Sequence, residues 1–223
     1  MKLYYDQLFT QAEGLKLYSD YVIENLVDGS VIEMAAGSGD LLNQLSQDRS
    51  VLGVDIDEDM IAMAYKKFPN LKDILIQGDF CDFKSDTKYD NYVCIGDSLN
   101  YILNLGDLKA FVNVASDLSD HLVLDMHHPY RLVEFEDGFY EEGSLEDFDY
   151  AYQIECDDDY LMHIINFLDG TFDAIQQWVF DPEILIKLLE EKGYSIQTFN
   201  DFTKGPILEE GEKVRIVASR VSK

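Results

Sequence analysis

A loop of small and acidic residues gives the first chemical signal in this sequence. Residues 33–40 read EMAAGSGD; they follow a short apolar run and precede a segment with helical spacing. Glycine and alanine in such a loop let a ligand approach the backbone closely. Asp55 ends the next apolar run, where a carboxylate in an open α/β sheet can accept hydrogen bonds from ribose hydroxyls. The loop and the acid together indicate a ligand that contains adenosine.

The residues around the loop narrow the choice of ligand. A dinucleotide fingerprint that begins at Gly37 and Gly39 requires a small residue at position 42, where this sequence has Leu42. Glu33 and Asp40 flank the loop, and a pyrophosphate prefers a helix N-terminus with few anions nearby. The setting suits a ligand with an amino group and a positive centre, and S-adenosylmethionine has both. For the loop alone, a tight turn with solvent-facing acids remains the alternative.

Two later segments place further polar residues at the same predicted sheet edge. Asp79 follows the third predicted strand, where its carboxylate suits an adenine amino group, and Phe80 places an aromatic ring beside it. The polar segment GDSLNY, residues 96–101, follows the fourth predicted strand. Acids therefore end four successive strands: Glu33, Asp55, Asp79 and Asp97.

If a ligand of this kind donated its methyl group, the transfer would be an in-line displacement, in which the protein mainly aligns the reactants and excludes water. A general base is needed only if the acceptor must lose a proton. His127 and His128, just after the fifth predicted strand, are the base candidates because histidine titrates near neutrality. Tyr101 is a candidate for orienting the acceptor. The alternatives are polar residues at a strand exit and a core-edge tyrosine. Adjacent histidines lack helical metal-ligand spacing, so no metal is expected.

The segments that position these residues alternate in character up to Pro129. Strand-like apolar runs cover residues 30–34, 51–54, 74–76, 89–95 and 121–126, and helical spacing covers residues 14–26, 40–47, 58–68 and 108–118. This alternation predicts βαβ crossovers and a parallel sheet.

The pattern changes after Pro129. Extended stretches at residues 148–156, 160–168 and 171–180 are separated by turn signals at 157–159 and 169–170, and such short turns require antiparallel strands. A helix at 182–192 and strands at 195–201 and 213–221 complete the chain. The predicted fold is α/β, with a Rossmann-like sheet that is mostly parallel and has an antiparallel last strand. A small antiparallel insertion at 131–180 lies within a single domain, 1–223.

Composition excludes several classes of function. The 223 residues carry 17 lysines and arginines against 44 acids, a formal net charge of −27. This charge repels nucleic acid and anionic lipid at long range. The sequence has no apolar run near the roughly 20 residues of a membrane span and no signal-peptide pattern at its start. Three widely spaced cysteines indicate a reducing cytosol rather than a disulfide scaffold, so we expect a cytoplasmic protein.

These motifs resemble those of the class I S-adenosylmethionine-dependent methyltransferases. More narrowly, the chain is similar to the small bacterial branch that carries an antiparallel insertion and acts on small molecules. The resemblance covers nearly the whole chain and is carried by these segments: Tyr5-Asp6-x-Leu8, Glu33-x-Ala35-x-Gly37-x-Gly39, Gly53-Val54-Asp55-Ile56-Asp57-x-x-Met60, Gly78-Asp79-Phe80, Asp97-Ser98-Leu99-Asn100-Tyr101-Ile102 and Leu124-Asp125.

The resemblance implies S-adenosylmethionine as cofactor and S-adenosylhomocysteine as product. The implied cofactor-binding residues are Tyr5, Glu33, Ala35, Gly37, Gly39, Asp55, Ile56, Met60, Gly78, Asp79, Phe80, Asp97 and Ser98. The sequence departs from the branch at Ala35 and Ala36, which replace a glycine and a frequent cysteine. It departs again at Val214-Arg215-Ile216, which keeps an arginine but lacks the glutamate that often precedes it. The second departure puts an inherited acceptor in doubt.

The sequence therefore predicts a methyltransferase that acts on a small-molecule acceptor. The alternatives are a non-catalytic S-adenosylmethionine-binding protein and a nicotinamide-dependent α/β enzyme. We expect residues 131–180 to form a lid that supplies much of the acceptor pocket, with Trp178 as a candidate wall. A homodimer surface is the alternative for this insertion.

Overall fold

Strands and helices alternate over residues 12–127 of the computed structural model, which describes residues 12–144, 148–167 and 170–220. The strands in this part are β1 (Val31–Met34), β2 (Val51–Asp55), β3 (Leu75–Gln77), β4 (Asn91–Cys94) and β5 (His121–His127). The helices are α1 (Ala12–Asn25), α2 (Asp40–Leu45), α3 (Glu58–Lys67) and α4 (Leu105–Leu118), with 3₁₀ turns at Pro69–Asp73 and Ser98–Tyr101.

The second part of the chain is mostly antiparallel. It contains α5 (Tyr130–Glu134), β6 (Phe139–Ser144), β7 (Asp149–Asp157), β8 (Tyr160–Phe167), β9 (Phe172–Trp178), α6 (Pro182–Glu191), β10 (Ser195–Asn200), β11 (Thr203–Lys204) and β12 (Lys213–Ser219). The sequence prediction missed α5, β6 and β11. β6 reads FYEEGS, and five of its six residues are exposed, so no burial pattern marks it as a strand.

Eight of the described strands form a central sheet in the order β11-β10-β12-β5-β4-β1-β2-β3. The strands from β5 to β3 pair in parallel, and β12 pairs antiparallel with β5. β1 and β4 are buried at every position, as central parallel strands covered on both faces must be. The predicted α/β fold, mostly parallel with an antiparallel last strand, is confirmed.

Both faces of this sheet are covered by helices. Tyr21 and Val22 of α1 are buried against Val93 and Phe199 on one face, whereas α4 and α6 pack on the other. The helices begin where the sequence provides caps. Asp57 accepts hydrogen bonds from backbone N–H groups at the start of α3, and Asp181 does so at the start of α6, as N-caps do.

β6, β7, β8 and β9 form a second sheet in that order, which we call the meander. Asp158, at φ 50°, makes the two-residue turn between β7 and β8, and Gly170, at φ 86°, lies in the next turn. The predicted antiparallel insertion is confirmed and has a fourth strand. Within the described ranges, every helix is too short or too polar to cross a membrane.

Candidate active site

The loop after β1 contains three residues whose backbone is left-handed. Ala35, Gly37 and Gly39 have φ values of 55°, 54° and 79°. A Cβ on Gly39 would lie 2.5 Å from a methyl carbon of Leu71, so close packing as well as φ requires glycine there. A Cβ on Gly37 would meet nothing nearer than the terminal methyl of Met60, at 3.6 Å. The space above Gly37 is therefore open for a ligand.

Asp55, at the end of β2, holds this loop against the sheet. Its Oδ2 accepts a hydrogen bond of 2.7 Å from the Gly37 N–H, and its Oδ1 accepts one of 2.9 Å from the Asp57 N–H. The next side chain, Ile56, is 64% exposed and offers an apolar surface beside the carboxylate. The predicted ribose acid thus lies at the carboxyl edge of the sheet, next to the small-residue loop.

Glu33 lies below the loop and is only 4% exposed. Burial raises the pKa of its carboxyl to about 8, and the neighbouring acids Asp55 and Asp40 add to the shift. Within the described part of the chain, its Oε2 has no hydrogen-bond partner. A buried polar atom of this kind requires a partner, and a ligand ammonium group would supply one.

The segment after β3 turns back toward the core. Asp79 Oδ1 accepts a hydrogen bond of 2.8 Å from the Cys81 N–H, which shapes the turn. Phe80 packs edge-on against Phe111 of α4, with ring centroids 5.5 Å apart. A Cβ on Gly78 would lie 2.8 Å from Val54 Cγ1, so the backbone passes close to β2.

A cluster of charged side chains follows β4. Asp97 is left-handed at φ 60°, and its backbone N–H donates to Asp125 Oδ1 at 3.0 Å. Its carboxylate pairs with Lys213 Nζ, and its Oδ1 lies 3.5 Å from His127 Nδ1. Burial alone would raise the pKa of Asp97, but Lys213 and His127 outweigh it and lower that pKa. Ser98 donates to the Ile95 carbonyl at 2.8 Å and fixes the turn.

His127 lies between this charged cluster and the meander. Its Nε2 is 2.8 Å from Gln177 Oε1, and burial lowers the pKa of the imidazole. Asn100 accepts a hydrogen bond from the His127 N–H at 2.8 Å and donates one to the Trp178 carbonyl at 2.7 Å. The imidazole of His127 is therefore neutral near pH 7. Its position is held by hydrogen bonds that link the central sheet to the meander.

His128 lies elsewhere, because its side chain leaves the strand on the opposite side. Its Nδ1 accepts a hydrogen bond from the Tyr130 N–H at 3.0 Å, and its Nε2 lies 3.1 Å from the Leu208 carbonyl. Both ring nitrogens are thus engaged by the backbone, with the Nε2–H tautomer as donor to Leu208. Of the two adjacent histidines, only His127 is among the described residues that line the cavity.

A cavity of about 820 Å³ joins these groups to the meander and to α1. Its walls are residues 14–16 and 18–20 of α1; Asp40, Leu41 and Gln44; Ile95, Gly96, Asp97 and Tyr101; His127, Arg131 and Lys213; and Tyr152, His163, Ile165, Ile175 and Gln177. Of the predicted cofactor-binding residues that the structure describes, only Asp97 is among these walls; the others, including Glu33, Gly37, Asp55 and Asp79, are outside them. The sequence analysis expected residues 131–180 to supply a wall, but its named candidate, Trp178, is not among the lining residues. It missed Lys213 because that residue reaches the cavity only through a tertiary contact.

The meander presents uncharged polar groups to this cavity. Tyr152 Oη lies 2.6 Å from His163 Nδ1, and the two rings stack at 6.1 Å. Burial raises the pKa of Tyr152 to about 12 and lowers that of His163 to about 4. Both side chains are neutral near pH 7. Among the described residues, no group of His, Cys, Asp or Glu could hold a metal ion, and the predicted Tyr5 lies outside the described residues.

A comparison with known protein families finds a match for the part of the chain that contains the small-residue loop. Residues 31–120 match the family described as a methyltransferase domain. These residues, fewer than half of the chain, are therefore similar to a methyltransferase domain. The matched part includes Glu33, Asp55, Asp79 and Asp97, whereas β5, the meander and β12 lie beyond the match. No curated protein sequence matches the chain.

Solved structures extend the likeness beyond the methyltransferase domain. The chain is similar to an S-adenosylmethionine-dependent methyltransferase from Clostridium acetobutylicum ATCC 824, with a TM-score of 0.85, 22% identity and coverage of 98% of this chain and 96% of that one. It is also similar to the sugar N-methyltransferase KedS8 from Streptoalloteichus sp ATCC 53650, with a TM-score of 0.76, 18% identity and coverage of 99% of this chain and 92% of that one. A third match is S-adenosylmethionine-bound CalS10, an amino pentose methyltransferase from Micromonospora echinaspora. Its TM-score is 0.72 and its identity 15%, with coverage of 98% of this chain and 95% of that one. The methyltransferase fold thus includes the meander and β12.

Proposed function

We propose that this protein transfers a methyl group from S-adenosylmethionine to an amino group of a small polar acceptor of the amino sugar class. The observation that carries the proposal is the cavity in which the end of the methyltransferase domain, including Asp97, faces the neutral polar wall of the meander. The similarity to a sugar N-methyltransferase and to an amino pentose methyltransferase supports this acceptor class.

The donor fits the polar groups at the edge of the sheet. Glu33 holds a buried carboxyl oxygen without a described partner, which suits the ammonium group of an amino acid moiety. Asp55 lies at the end of β2, where a carboxylate receives ribose hydroxyls, and Ile56 offers an apolar surface for a purine. When bound, S-adenosylmethionine supplies a methyl carbon that is already activated by its sulfonium group.

The protein then has to orient the acceptor and receive a proton from its amino group. His127 is our candidate base, because its imidazole is neutral and its Nδ1 is 3.5 Å from Asp97 Oδ1. A proton taken up by His127 would be stabilised by that carboxylate. Tyr101 lines the same cavity and is the candidate for orienting the acceptor. His128, which is engaged by the backbone on both ring nitrogens, has no such role in this proposal.

In this proposal, residues 131–180 form the wall of the cavity that contacts the acceptor. Tyr152, His163 and Gln177 offer neutral donors and acceptors suited to hydroxyl groups, and Ile165 and Ile175 offer apolar contacts suited to ring carbons. We place the acceptor here instead of assigning the insertion solely to a dimer surface. Size-exclusion chromatography with light scattering measures the oligomeric state separately.

The test is a methyl-transfer assay on a panel of amines that contains free amino sugars, nucleotide-linked amino sugars and simple alkylamines. Products are identified by mass. We expect the wild type to methylate an amino sugar nitrogen, His127→Gln to reduce turnover at least a hundredfold, and the matched control His128→Gln to retain it. Cofactor binding with no transfer to the panel or to a cell metabolite extract would instead support a non-catalytic binding protein. Equal losses in the two variants would remove His127 from the role of base.

A further inference from the structure

Arg215 is a cation with an unusual position in this acidic chain. It lies on β12, is 1% exposed, and stands opposite Asp125 in the β5–β12 register. Within the described residues, two of its nitrogens, Nε and Nη1, have no hydrogen-bond partner. A buried charge without a full set of hydrogen bonds contributes little to stability by itself, so its surroundings require another explanation.

Three aromatic rings surround the Arg215 guanidinium. Its Cζ lies 3.8 Å from the ring centroid of Phe202, 5.0 Å from that of Tyr18 and 5.4 Å from that of Tyr21. Phe202 belongs to the turn between β10 and β11, whereas Tyr18 and Tyr21 are three residues apart on one face of α1. We call these three rings the arginine cage. Cation–π contacts are strongest when the cation is desolvated, as it is here.

The cage holds the half of α1 that lines the cavity. The second half of the helix is anchored by Val22, which is fully buried in the apolar core. The first half has weaker apolar anchorage, since Leu15 is exposed and Leu17 is 52% exposed. Tyr18 belongs to both the cage and the cavity wall, and its ring also faces Lys213, whose Nζ lies 5.9 Å from the ring centroid.

We propose that Arg215 is a positioning residue that fixes α1 as the wall opposite the small-residue loop, and thereby sets the affinity of the site for its cofactor. The proposal rests on the proposed function for the identity of that ligand. Asp40 and Leu41 of the loop side and residues 14–16 and 18–20 of α1 face one cavity. A displaced α1 would leave a ligand there open to solvent on one side.

Arg215→Lys is the first test, because lysine keeps the charge but lacks the planar guanidinium that stacks on rings. We expect hydrogen exchange in residues 12–25 to accelerate without ligand, and the Kd for S-adenosylhomocysteine to rise about tenfold. The maximal turnover with saturating cofactor should change much less than the affinity. The matched control is Arg220→Lys, since Arg220 stacks on Tyr194 at 4.5 Å and pairs with Asp120 beyond the end of the same strand.

A second variant keeps the proposal testable if Arg215→Lys does not fold. Phe202 is 43% exposed, so Phe202→Leu removes the nearest ring at a site that tolerates change. It should reproduce the faster exchange in α1, and combining it with Arg215→Lys should add little. Unchanged exchange in α1, or fully additive effects of the two variants, would overturn the proposal. Failure of the wild type to bind S-adenosylhomocysteine would overturn the proposed function, while the exchange measurement would still test the cage.

Discussion

The central sheet and the meander contribute to the same cavity in different ways. The sheet side presents a charged pair to the cavity, Asp97 against Lys213. The meander presents Tyr152 and His163, which are neutral near pH 7. Charged groups suit a ligand with a fixed ammonium and sulfonium, and neutral hydroxyl and imidazole groups suit an uncharged polyol surface. Under the proposed function, this difference assigns donor binding to the central sheet and most of the acceptor contacts to the meander.

Glu33, a buried acid of β1, gives the largest expected effect on the sheet side. The folded protein keeps the Glu33 proton up to a pKa of about 8, whereas the unfolded chain releases it near 4.5, so the folded state binds more protons between these values. Stability must therefore fall as pH rises through this interval, by roughly 4 kcal/mol for this group. Glu33→Gln should have nearly the same free energy of unfolding as the wild type below pH 4.5, and a larger one at pH 8. Urea unfolding of both proteins across this range measures the difference, and a constant difference would contradict the assignment.

The Asp97–Lys213 pair gives the next largest effect. Asp97→Asn leaves the mostly buried Lys213 ammonium without its carboxylate and should lower the free energy of unfolding by about 3 kcal/mol. It should also remove the methyl-transfer activity. Adding Lys213→Met should recover most of the lost stability but not the activity. Glu134→Gln, which breaks the exposed pair with Arg131, is the control and should cost under about 1 kcal/mol.

Asp55 tests whether the charged side binds the donor. Asp55→Ala should weaken S-adenosylmethionine binding by about 1.5–3 kcal/mol, the range for hydrogen bonds to a charged group. Calorimetry measures the loss. Because Asp55 also holds the Gly37 and Asp57 N–H groups, Asp55→Asn, which keeps one carbonyl oxygen, should bind with intermediate affinity. Undiminished affinity in Asp55→Ala would remove this residue from the ribose role.

Tyr152 gives the smallest effect and tests the neutral side. Tyr152→Phe removes the hydroxyl but keeps the ring stacked on His163, so the kcat/KM for the acceptor should fall by about 1 kcal/mol, roughly fivefold. The Kd for S-adenosylmethionine should stay within twofold of the wild-type value. Tyr150→Phe, on the same strand but outside the cavity walls, is the matched control. Equal losses for donor and acceptor would show that the two sheets do not divide recognition.

The sequence predicted the position of those candidate residues whose place in the fold depends on near neighbours in the chain. Glu33 and Asp55 lie near the ends of β1 and β2, Gly37 lies in the loop after β1, and the pairing of the two strands brings them to one edge. Lys213 could not be found in this way, because its partner Asp97 is 116 residues away. One signal was present: Lys213 is a rare cation at the start of a strongly apolar strand. His127 and His128 illustrate the same limit, since both follow an apolar run and only the tertiary fold shows which faces the cavity.

Element prediction succeeded and failed for similar reasons. Asp158 and Gly170 mark turns by residue type alone, so the three longer strands of the meander were predicted. β6 pairs with β7 through its backbone and buries almost no side chain, so its sequence carries no period. The helix α5 spans only five residues, too few for a helical pattern to emerge.

The two hydrogen bonds of Asn100 bear on how such a protein diversifies. This amide joins β5 to β9 through main-chain groups only, the N–H of His127 and the carbonyl of Trp178. Hydrogen bonds to backbone atoms do not depend on which side chains the meander carries. Residues on the cavity face of the meander can therefore be substituted while these two hydrogen bonds between the sheets are kept. Libraries that vary positions 152, 163, 165 and 175 while keeping Asn100 should retain a folded, donor-binding protein with altered acceptor preference.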